Sequence, residues 1–241
     1  MPFRIVVGER FRKLAERCDQ YIPFTDYANS HEQLEHNQDV LYIPGQGLDE
    51  QRRELVISRM PNQQVREYLD KGSRKLSCRE AHKHNAANIL VTELEVLSKG
   101  HFRTYLNLHN DNELLLDHFS GAHIPGMVVL EATRQISIAA WSAYEGKDAD
   151  DVAMVINDIH CEYKKFAFPF CLPIDVRLSK LSEEEYELTV EFLQNDEVVA
   201  LTYGTFKALS KEKIEKLESI LLKKITNARK RYFLETFAES A

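Results

Sequence analysis

The spacing of hydrophobic residues changes along the 241-residue chain, and each change predicts a different kind of structure. Residues 1 to about 75 are polar, with helical spacing of the hydrophobic positions in residues 9–21 and 49–71. A loop with Gly and Pro at residues 42–47 separates the two stretches. We therefore expect a helical N-terminal extension over residues 1–75.

From residue 89 onward, the pattern is typical of strands. Residues 89–97 and 102–108 flank Lys99-Gly100 and predict a β-hairpin. Four more strands are predicted further along, with Asn195-Asp196 as a tight turn between the last two. Their ranges are 153–159 (running on towards 168), 174–181, 186–194 and 198–208.

Two segments have the pattern of long helices. Residues 127–144 form the longest apolar stretch and follow Pro125, a residue suited to the first turn of a helix. Residues 211–237 carry Ile214, Leu217, Leu221 and Ile225 at helical spacing. Two strands, an apolar helix and four strands predict an α+β protein with the hotdog fold, a curved antiparallel sheet wrapped around a long central helix. We place the hotdog domain at 76–210 and a C-terminal helix at 211–241.

Composition narrows the class of protein. Hydrophobic residues at 44% and charged residues at 29% are typical of a globular domain. No stretch approaches the roughly 20 apolar residues of a membrane span, and the N-terminus lacks the apolar core of a signal peptide. The net charge of −7 argues against a nucleic-acid partner. We expect a cytoplasmic protein without a membrane partner, and four cysteines that stay reduced in or near the core.

Residues 117–135 hold the candidate catalytic chemistry. His118 and His123 precede the central helix, and Glu131 lies within it among apolar neighbours. Burial is predicted to raise the pKa of Glu131 into a range useful for proton transfer. The backbone amides at Gly126 and Met127 begin the helix and are predicted to donate hydrogen bonds to a carbonyl that becomes an oxyanion.

Arg134 and Gln135 follow Glu131 by three and four residues and therefore share its helix face. A purely structural ion pair of Glu131 with Arg134 is one interpretation. With two histidines just upstream, we favour a functional cluster, in which Arg134 and Gln135 orient Glu131 or bind a phosphate or a pantetheine arm. A metal site of His118, His123 and His160 matches no known ligand spacing, so we expect no metal and no cofactor.

The ordered run Asp-His, His-Ile-Pro-Gly-Met and Glu-Ala-Thr-Arg-Gln within residues 117–135 resembles the signature of the A-factor biosynthesis (AfsA-like) hotdog domain family. The upstream His82-Lys83 and the Asn-Ile-Leu-Val-Thr of residues 88–92 fit the same family. A wider similarity links residues 118–121 and Glu131 to the His-Phe-Pro-Gly loop and the catalytic Glu of β-hydroxyacyl-ACP dehydratases. The loop is one residue shorter here, so His123 is a second candidate for the role of His118.

The resemblance implies an acyltransferase that moves a β-ketoacyl group from acyl carrier protein, or the related acyl-CoA, to a small hydroxyl acceptor such as dihydroxyacetone phosphate. The product would lead to γ-butyrolactone signals. Typical members hold two hotdog repeats, whereas this chain shows one, so a homodimer is expected. Lys164-Lys165 or the basic cluster near the C-terminus is the candidate docking surface for the acidic carrier. A thioesterase or dehydratase, and a non-catalytic acyl-binding or assembly module, are the alternatives.

Overall fold

A buried 20-residue helix, α6 at Gly126–Glu145, forms the centre of the protein. The computed structural model describes residues 3–33, 40–60, 62–70, 72–116 and 121–237. Pro125 precedes the first turn of α6, and Gly146 ends the helix with a φ of 64°, which glycine adopts without steric cost. The predicted central helix at residues 127–144 is therefore confirmed.

An antiparallel sheet packs against α6. In the part of the chain that the structure describes, this sheet has six strands in the order β4-β5-β7-β8-β9-β6. Apolar side chains of the sheet, such as Val176 and Val190, share one hydrophobic core with Ile136 and Trp141 of α6. The predicted α+β hotdog fold is confirmed. The strands are β4 at Glu95–Ser98, β5 at His101–Leu106, β6 at Val152–Tyr163, β7 at Leu172–Lys180, β8 at Glu185–Gln194 and β9 at Glu197–Ser210.

The two predicted tight turns are also present. Asn195 and Asp196 both have positive φ angles, 51° and 61°, as a two-residue hairpin turn between β8 and β9 requires. Gly100 has a φ of 76° between β4 and β5. The first strand of that hairpin is shorter than predicted, because Val91 and Thr92 form only isolated bridges, to Leu106 and Lys75.

The N-terminal extension contains helices, but the prediction that it is mainly helical is incomplete. In its described residues, three short parallel strands form a sheet in the order β2-β1-β3. The predicted helix at 9–21 is reduced to a 3-10 turn and one short helix, and the predicted helix at 49–71 is two helices with Pro61 between them in the sequence. The elements are β1 at Phe3–Val7, α1 at Arg12–Ala15, β2 at Tyr21–Pro23, α2 at Phe24–Gln33, β3 at Leu41–Pro44, α3 at Glu50–Ser58 and α4 at Gln63–Asp70. A short helix of the hotdog domain, α5 at Glu113–Leu116, precedes α6.

Gln46, in the loop after β3, joins the extension to the hotdog domain. Its side chain is fully buried, and its Nε2 donates to the carbonyl oxygens of Leu106 (2.8 Å) and Phe170 (3.1 Å). Its Oε1 accepts from the amide of Leu108 at 2.7 Å. The hydrophobic core around α6 also includes Phe11 of the extension. The extension is therefore packed against the sheet by both polar and apolar contacts.

The predicted C-terminal helix is present as α7 at Lys211–Phe237, which follows β9 and buries none of its residues. Its apolar side chains are exposed, including Leu222 and Ile225. Among the described residues, no helix combines the length and apolar character that crossing a membrane requires.

Candidate functional site

The first turn of α6 receives no cap from its own capping residue. Pro125 occupies the capping position with extended backbone angles and forms no side-chain hydrogen bond to the turn. Proline has no hydroxyl or carboxylate to offer the first amides of the helix. The N-terminal end of this long helix carries a partial positive charge, which favours an anionic or polarised ligand.

A cavity of about 630 Å³ opens beside this turn. Three predicted site residues, His123, Gly126 and Met127, line it together. Met127 and Phe166 are largely exposed, so the rim of the cavity is apolar. The remaining lining residues are Ile124, Val129, Tyr163, Lys164, Lys165, Ala167 and Ala200.

Tyr163, at the end of β6, is a lining residue that the sequence reasoning missed. Its hydroxyl donates to the carbonyl oxygen of Gly126 at 2.8 Å. A Cβ atom at position 126 would lie 2.9 Å from the Tyr163 ring, so glycine allows this close approach. Burial, together with a hydrogen bond to the Cys161 thiol, raises the pKa of Tyr163. The only sequence signal for Tyr163 was its place at the end of a predicted strand.

Glu131 lies one turn further along α6, in a cluster of hydrogen-bond donors. Its Oε1 accepts from Lys83 Nζ at 2.7 Å, from Arg134 Nη2 at 2.9 Å and from Gln135 Nε2 at 2.9 Å. Its Oε2 accepts from Arg134 Nε at 3.0 Å. The Glu131 side chain is 22% exposed. Two cations and one amide therefore surround a partly buried carboxylate.

The prediction that the pKa of Glu131 is raised is wrong. Burial alone would raise this pKa, but the hydrogen bonds from Arg134, Gln135 and Lys83 outweigh burial and lower it to about 2. The adjacent apolar residues Val129, Leu130 and Ala132 lie on other faces of the helix, whereas Arg134 and Gln135 share the face of Glu131. Glu131 is therefore ionised at neutral pH and has no proton to donate.

Gln135 and Arg134 also bind the backbone of the preceding segment. Gln135 is fully buried, its Oε1 accepts from the amide of Leu90, and its Nε2 donates to the carbonyl oxygen of Asn88, both at 2.9 Å. Arg134 Nη2 donates to the carbonyl oxygen of Ala81 at 3.3 Å. These contacts fasten residues 81–90 to α6 and orient Glu131.

The predicted site residues thus form two groups. His123, Gly126 and Met127 line the cavity, whereas Glu131 lies outside its lining and belongs to the charged cluster. His118 lies outside the described residues, so its role stays a prediction.

Comparison with known families identifies the hotdog domain. The model of the A-factor biosynthesis hotdog domain matches residues 67–210. The chain belongs to this family. From each part of the quoted motif, residues meet in the charged cluster of this A-factor biosynthesis hotdog domain: Lys83, Asn88 and Leu90 contact Glu131 or Gln135. Among curated proteins, none matches the chain.

Several solved structures are similar to this A-factor biosynthesis hotdog domain. The dehydratase heterocomplex ApeI:P from Xenorhabdus doucetiae is 18% identical with a TM-score of 0.47, over 58% of this chain and 94% of that chain. A conserved protein from Pseudomonas aeruginosa is 17% identical with a TM-score of 0.40, over 49% and 88%. The thioesterase HI1161 from Haemophilus influenzae is 8% identical with a TM-score of 0.40, over 50% and 78%. At these identities the similarity concerns the fold and not the activity.

Lys83 is the second residue that sequence reasoning missed. The pair His82-Lys83 was part of the family motif, but Lys83 had no assigned role. His82 has a φ of 47°, and its Nε2 lies 3.5 Å from Asp150 Oδ1. Lys83 and Glu131 are far apart in the sequence, so no local pattern predicts their contact. The only sequence signal for Lys83 is its place in the motif of the A-factor biosynthesis hotdog domain family.

Within the described residues, no three His, Cys, Asp or Glu side chains are grouped as metal ligands would be. His160 stacks on the ring of Tyr203 at 4.9 Å, and its Nε2 lies 3.8 Å from Asp158 Oδ1. Of the three histidines considered for a metal site, His118 lies outside the described residues.

The charged cluster predicts how stability depends on pH. The pKa of Glu131 falls from an ordinary 4.5 to about 2 on folding, so its contribution is full above pH 4.5 and is lost as the pH falls towards 2. This pKa difference corresponds to about 3 kcal/mol. We expect Glu131→Gln to lower the free energy of unfolding by about 2 to 3 kcal/mol at pH 7, measured by urea denaturation.

The loss caused by Glu131→Gln should shrink between pH 4.5 and pH 2, because the wild-type carboxylate becomes protonated there. Glu218→Gln, at an exposed position on α7, is the control and should leave stability unchanged at every pH. A loss for Glu131→Gln that stays constant with pH would contradict the assignment.

Proposed function

We propose that this protein transfers an acyl group from the thioester of acyl carrier protein to the hydroxyl of a small acceptor such as dihydroxyacetone phosphate. Membership of the A-factor biosynthesis hotdog domain family supports an enzyme that acts on acyl thioesters. The observation that carries the proposal is the first turn of α6, which Pro125 does not cap and which borders an apolar cavity together with His123. No cofactor is required by this chemistry.

The cavity suits an acyl thioester. Met127, Tyr163 and Phe166 offer apolar surface for the acyl chain or the pantetheine arm. With the thioester carbonyl next to Gly126 and Met127, the backbone amides of the first helical turn would stabilise the developing oxyanion. Such preorganised donors typically contribute about 10² to 10³ to the rate.

His123 is the base in this proposal. It removes the proton from the acceptor hydroxyl as the oxygen attacks the thioester carbon, so that a C–O bond forms and the C–S bond breaks. The proton then passes to the thiolate of the carrier. Imidazole suits this exchange near neutral pH, whereas the low pKa of Glu131 does not. Glu131 is a positioning residue, and His118 keeps its predicted place as a second candidate base.

Two lysines support docking of an acidic carrier. Lys164 and Lys165 line the cavity next to Phe166 and are exposed. Lys165 Nζ lies 2.6 Å from Glu197, and Lys164 Nζ lies 3.9 Å from Glu162, both on the surface. Exposed ion pairs of this kind contribute little and can be exchanged for carboxylates of a partner. The carrier would then deliver its thioester directly into the cavity.

A homodimer formed through β6 is part of the proposal. β6 is an edge strand of 12 residues, and Ile156, Ile159 and Tyr163 on it are exposed. A long edge with apolar side chains favours pairing with another strand. Because Tyr163 also lines the cavity, a second copy on β6 would border the site.

The activity is tested with purified protein, β-ketoacyl carrier protein and dihydroxyacetone phosphate, and the products are identified by mass spectrometry. We expect an ester that forms only with the acceptor present. His123→Gln should lower kcat by about 10² to 10⁴, because it removes the base. His84→Gln, at an exposed histidine that does not line the cavity, is the control and should keep full activity.

The other outcomes decide between the alternatives. Free acid without acceptor would favour a thioesterase, and an enoyl product would favour a dehydratase. No turnover, with acyl carrier protein still bound, would favour a non-catalytic module. Each of these three results would contradict the acyltransferase.

Carrier docking predicts a difference between two substrates. Lys164→Glu with Lys165→Glu should raise KM for acyl carrier protein about tenfold, which is about 1.4 kcal/mol, and leave KM for acyl-CoA unchanged. Charge reversal at Lys223 and Lys224 on α7 is the matched control. Steady-state kinetics with both substrates provides the measurement. An equal effect on the two substrates would rule out docking at Lys164 and Lys165.

Dimerisation through β6 predicts a change in mass. Ile159→Lys introduces a charge into the middle of the apolar edge and should shift the protein from dimer to monomer in light scattering after gel filtration. Val96→Lys alters an exposed position on β4, the opposite edge strand, and should leave the dimer intact. A wild-type monomer, or a dimer that survives Ile159→Lys, would contradict this interface.

A further inference from the structure

A second cavity, of about 790 Å³, lies where the N-terminal extension meets the hotdog domain. Its lining includes Glu50 of α3, together with Lys75, Arg74 and His109. Neither Glu131 nor the start of α6 belongs to this lining. The second cavity is therefore separate from the proposed acyl site, and a role for it does not depend on the proposed function.

Lys75 brings a positive charge to the second cavity. Its side chain is partly buried, and its Nζ donates to the carbonyl oxygen of Ile89 at 2.9 Å. Among the described residues, no carboxylate forms an ion pair with Lys75. A carbonyl oxygen satisfies one of the three donors of an ammonium group, so further donors remain for a ligand.

Arg53 of α3 adds a second buried cation nearby. It is 4% exposed, its Nη2 donates to the carbonyl oxygen of Gly45 at 2.8 Å, and its Nε has no hydrogen-bond partner among the described residues. Burial, followed by the charge of Arg53, lowers the pKa of Lys75 to about 7, against an opposing effect of Glu50. Arg53 is therefore a buried cation close to the partly buried Lys75, and among the described residues neither of them forms an ion pair with a carboxylate.

His109 supplies another donor at the second cavity. Its Nδ1 accepts from the amide of Asp111 at 3.0 Å, so the neutral ring carries its proton on Nε2. Burial, followed by the charge of Lys75, lowers the pKa of His109. The ring is therefore a neutral donor at physiological pH.

The geometry points to a binding site for a compact anion, a phosphate or carboxylate group of a small ligand, held by Lys75 and His109. Burying positive charge without a partner is costly, and a bound anion removes that cost. The carboxylate of Asp49, at the same cavity, forms an ion pair with Arg52, whose Nε lies 3.1 Å from Asp49 Oδ2.

The other charged groups at the second cavity set the limits of its pH dependence. Glu50 and Glu93 oppose an anion, whereas Arg74 and the more distant charge of Arg53 favour it. Lys75 is the group whose protonation changes near neutral pH. A bound anion stabilises the ammonium form, so binding above pH 7 must be accompanied by uptake of a proton.

The test is isothermal titration calorimetry of the full-length protein at pH 8 with sulfate and, separately, malonate. Neither probe titrates at this pH, and the two stand for phosphate-like and carboxylate ligands. Measurements in two buffers of different ionisation enthalpy give the proton uptake, which we expect to approach one proton per bound anion. Binding of either probe supports the site and shows which class it prefers, and binding of neither probe overturns it.

Three variants distinguish a specific anion-binding site from a general effect of positive charge on anion binding. Lys75→Met should weaken binding at least tenfold and should remain folded, because it removes a partly buried charge. Lys75→Arg should bind the anion without proton uptake, since arginine stays charged. Arg74→Gln, an exposed cation at the same cavity, should change affinity by less than about threefold. Lys75→Met that binds like the wild type, Lys75→Arg that still takes up a proton, or Arg74→Gln as damaging as Lys75→Met would overturn the proposal.

Discussion

The centre of this protein depends on hydrogen-bond and ion-pair partners for one carboxylate in an apolar helix. Glu131 is partly removed from water, and a charge in that position requires close partners. Lys83 supplies one from upstream, and Arg134 and Gln135 supply the others from α6 itself. Because Arg134 and Gln135 also bind backbone groups of residues 81–90, the same contacts hold that segment against the helix. Removing the carboxylate would leave Lys83 and Arg134 without their anionic partner, so the cluster acts as a unit.

This cluster separates positioning from proton transfer. With a pKa of about 2, Glu131 keeps its charge across the physiological range, so its hydrogen bonds would stay constant during the proposed reaction. The group that exchanges protons in the proposed reaction is therefore His123, which lies at the cavity before the first helical turn. In the proposed reaction, Glu131 with its low pKa has the positioning role, and the imidazole of His123 has the proton-transfer role.

The length of an element and its local sequence pattern explain which parts of the fold could be predicted from the sequence. The 20 residues of α6 and the long strands β8 and β9 contain several periods of their hydrophobic pattern, and Asn195-Asp196 has local turn chemistry. Strands β1, β2 and β3 have three to five residues, too few for a visible period. The sign of the pKa shift at Glu131 depends on the strength of hydrogen bonds from Arg134, Gln135 and Lys83, which the sequence pattern does not show, and no local pattern connects Lys83 to the helix.

The N-terminal extension packs against the hotdog domain and contributes to its core and its hydrogen bonds. Gln46 satisfies backbone groups next to β5, and α3 brings Arg53 close to Lys75. The bridge between Lys75 and Thr92 places the second cavity beside the β4–β5 end of the sheet, whereas β6 is the opposite edge. A second copy that pairs with β6 would therefore leave the second cavity open. Dimerisation and anion binding can then occur together, one at each end of the same sheet.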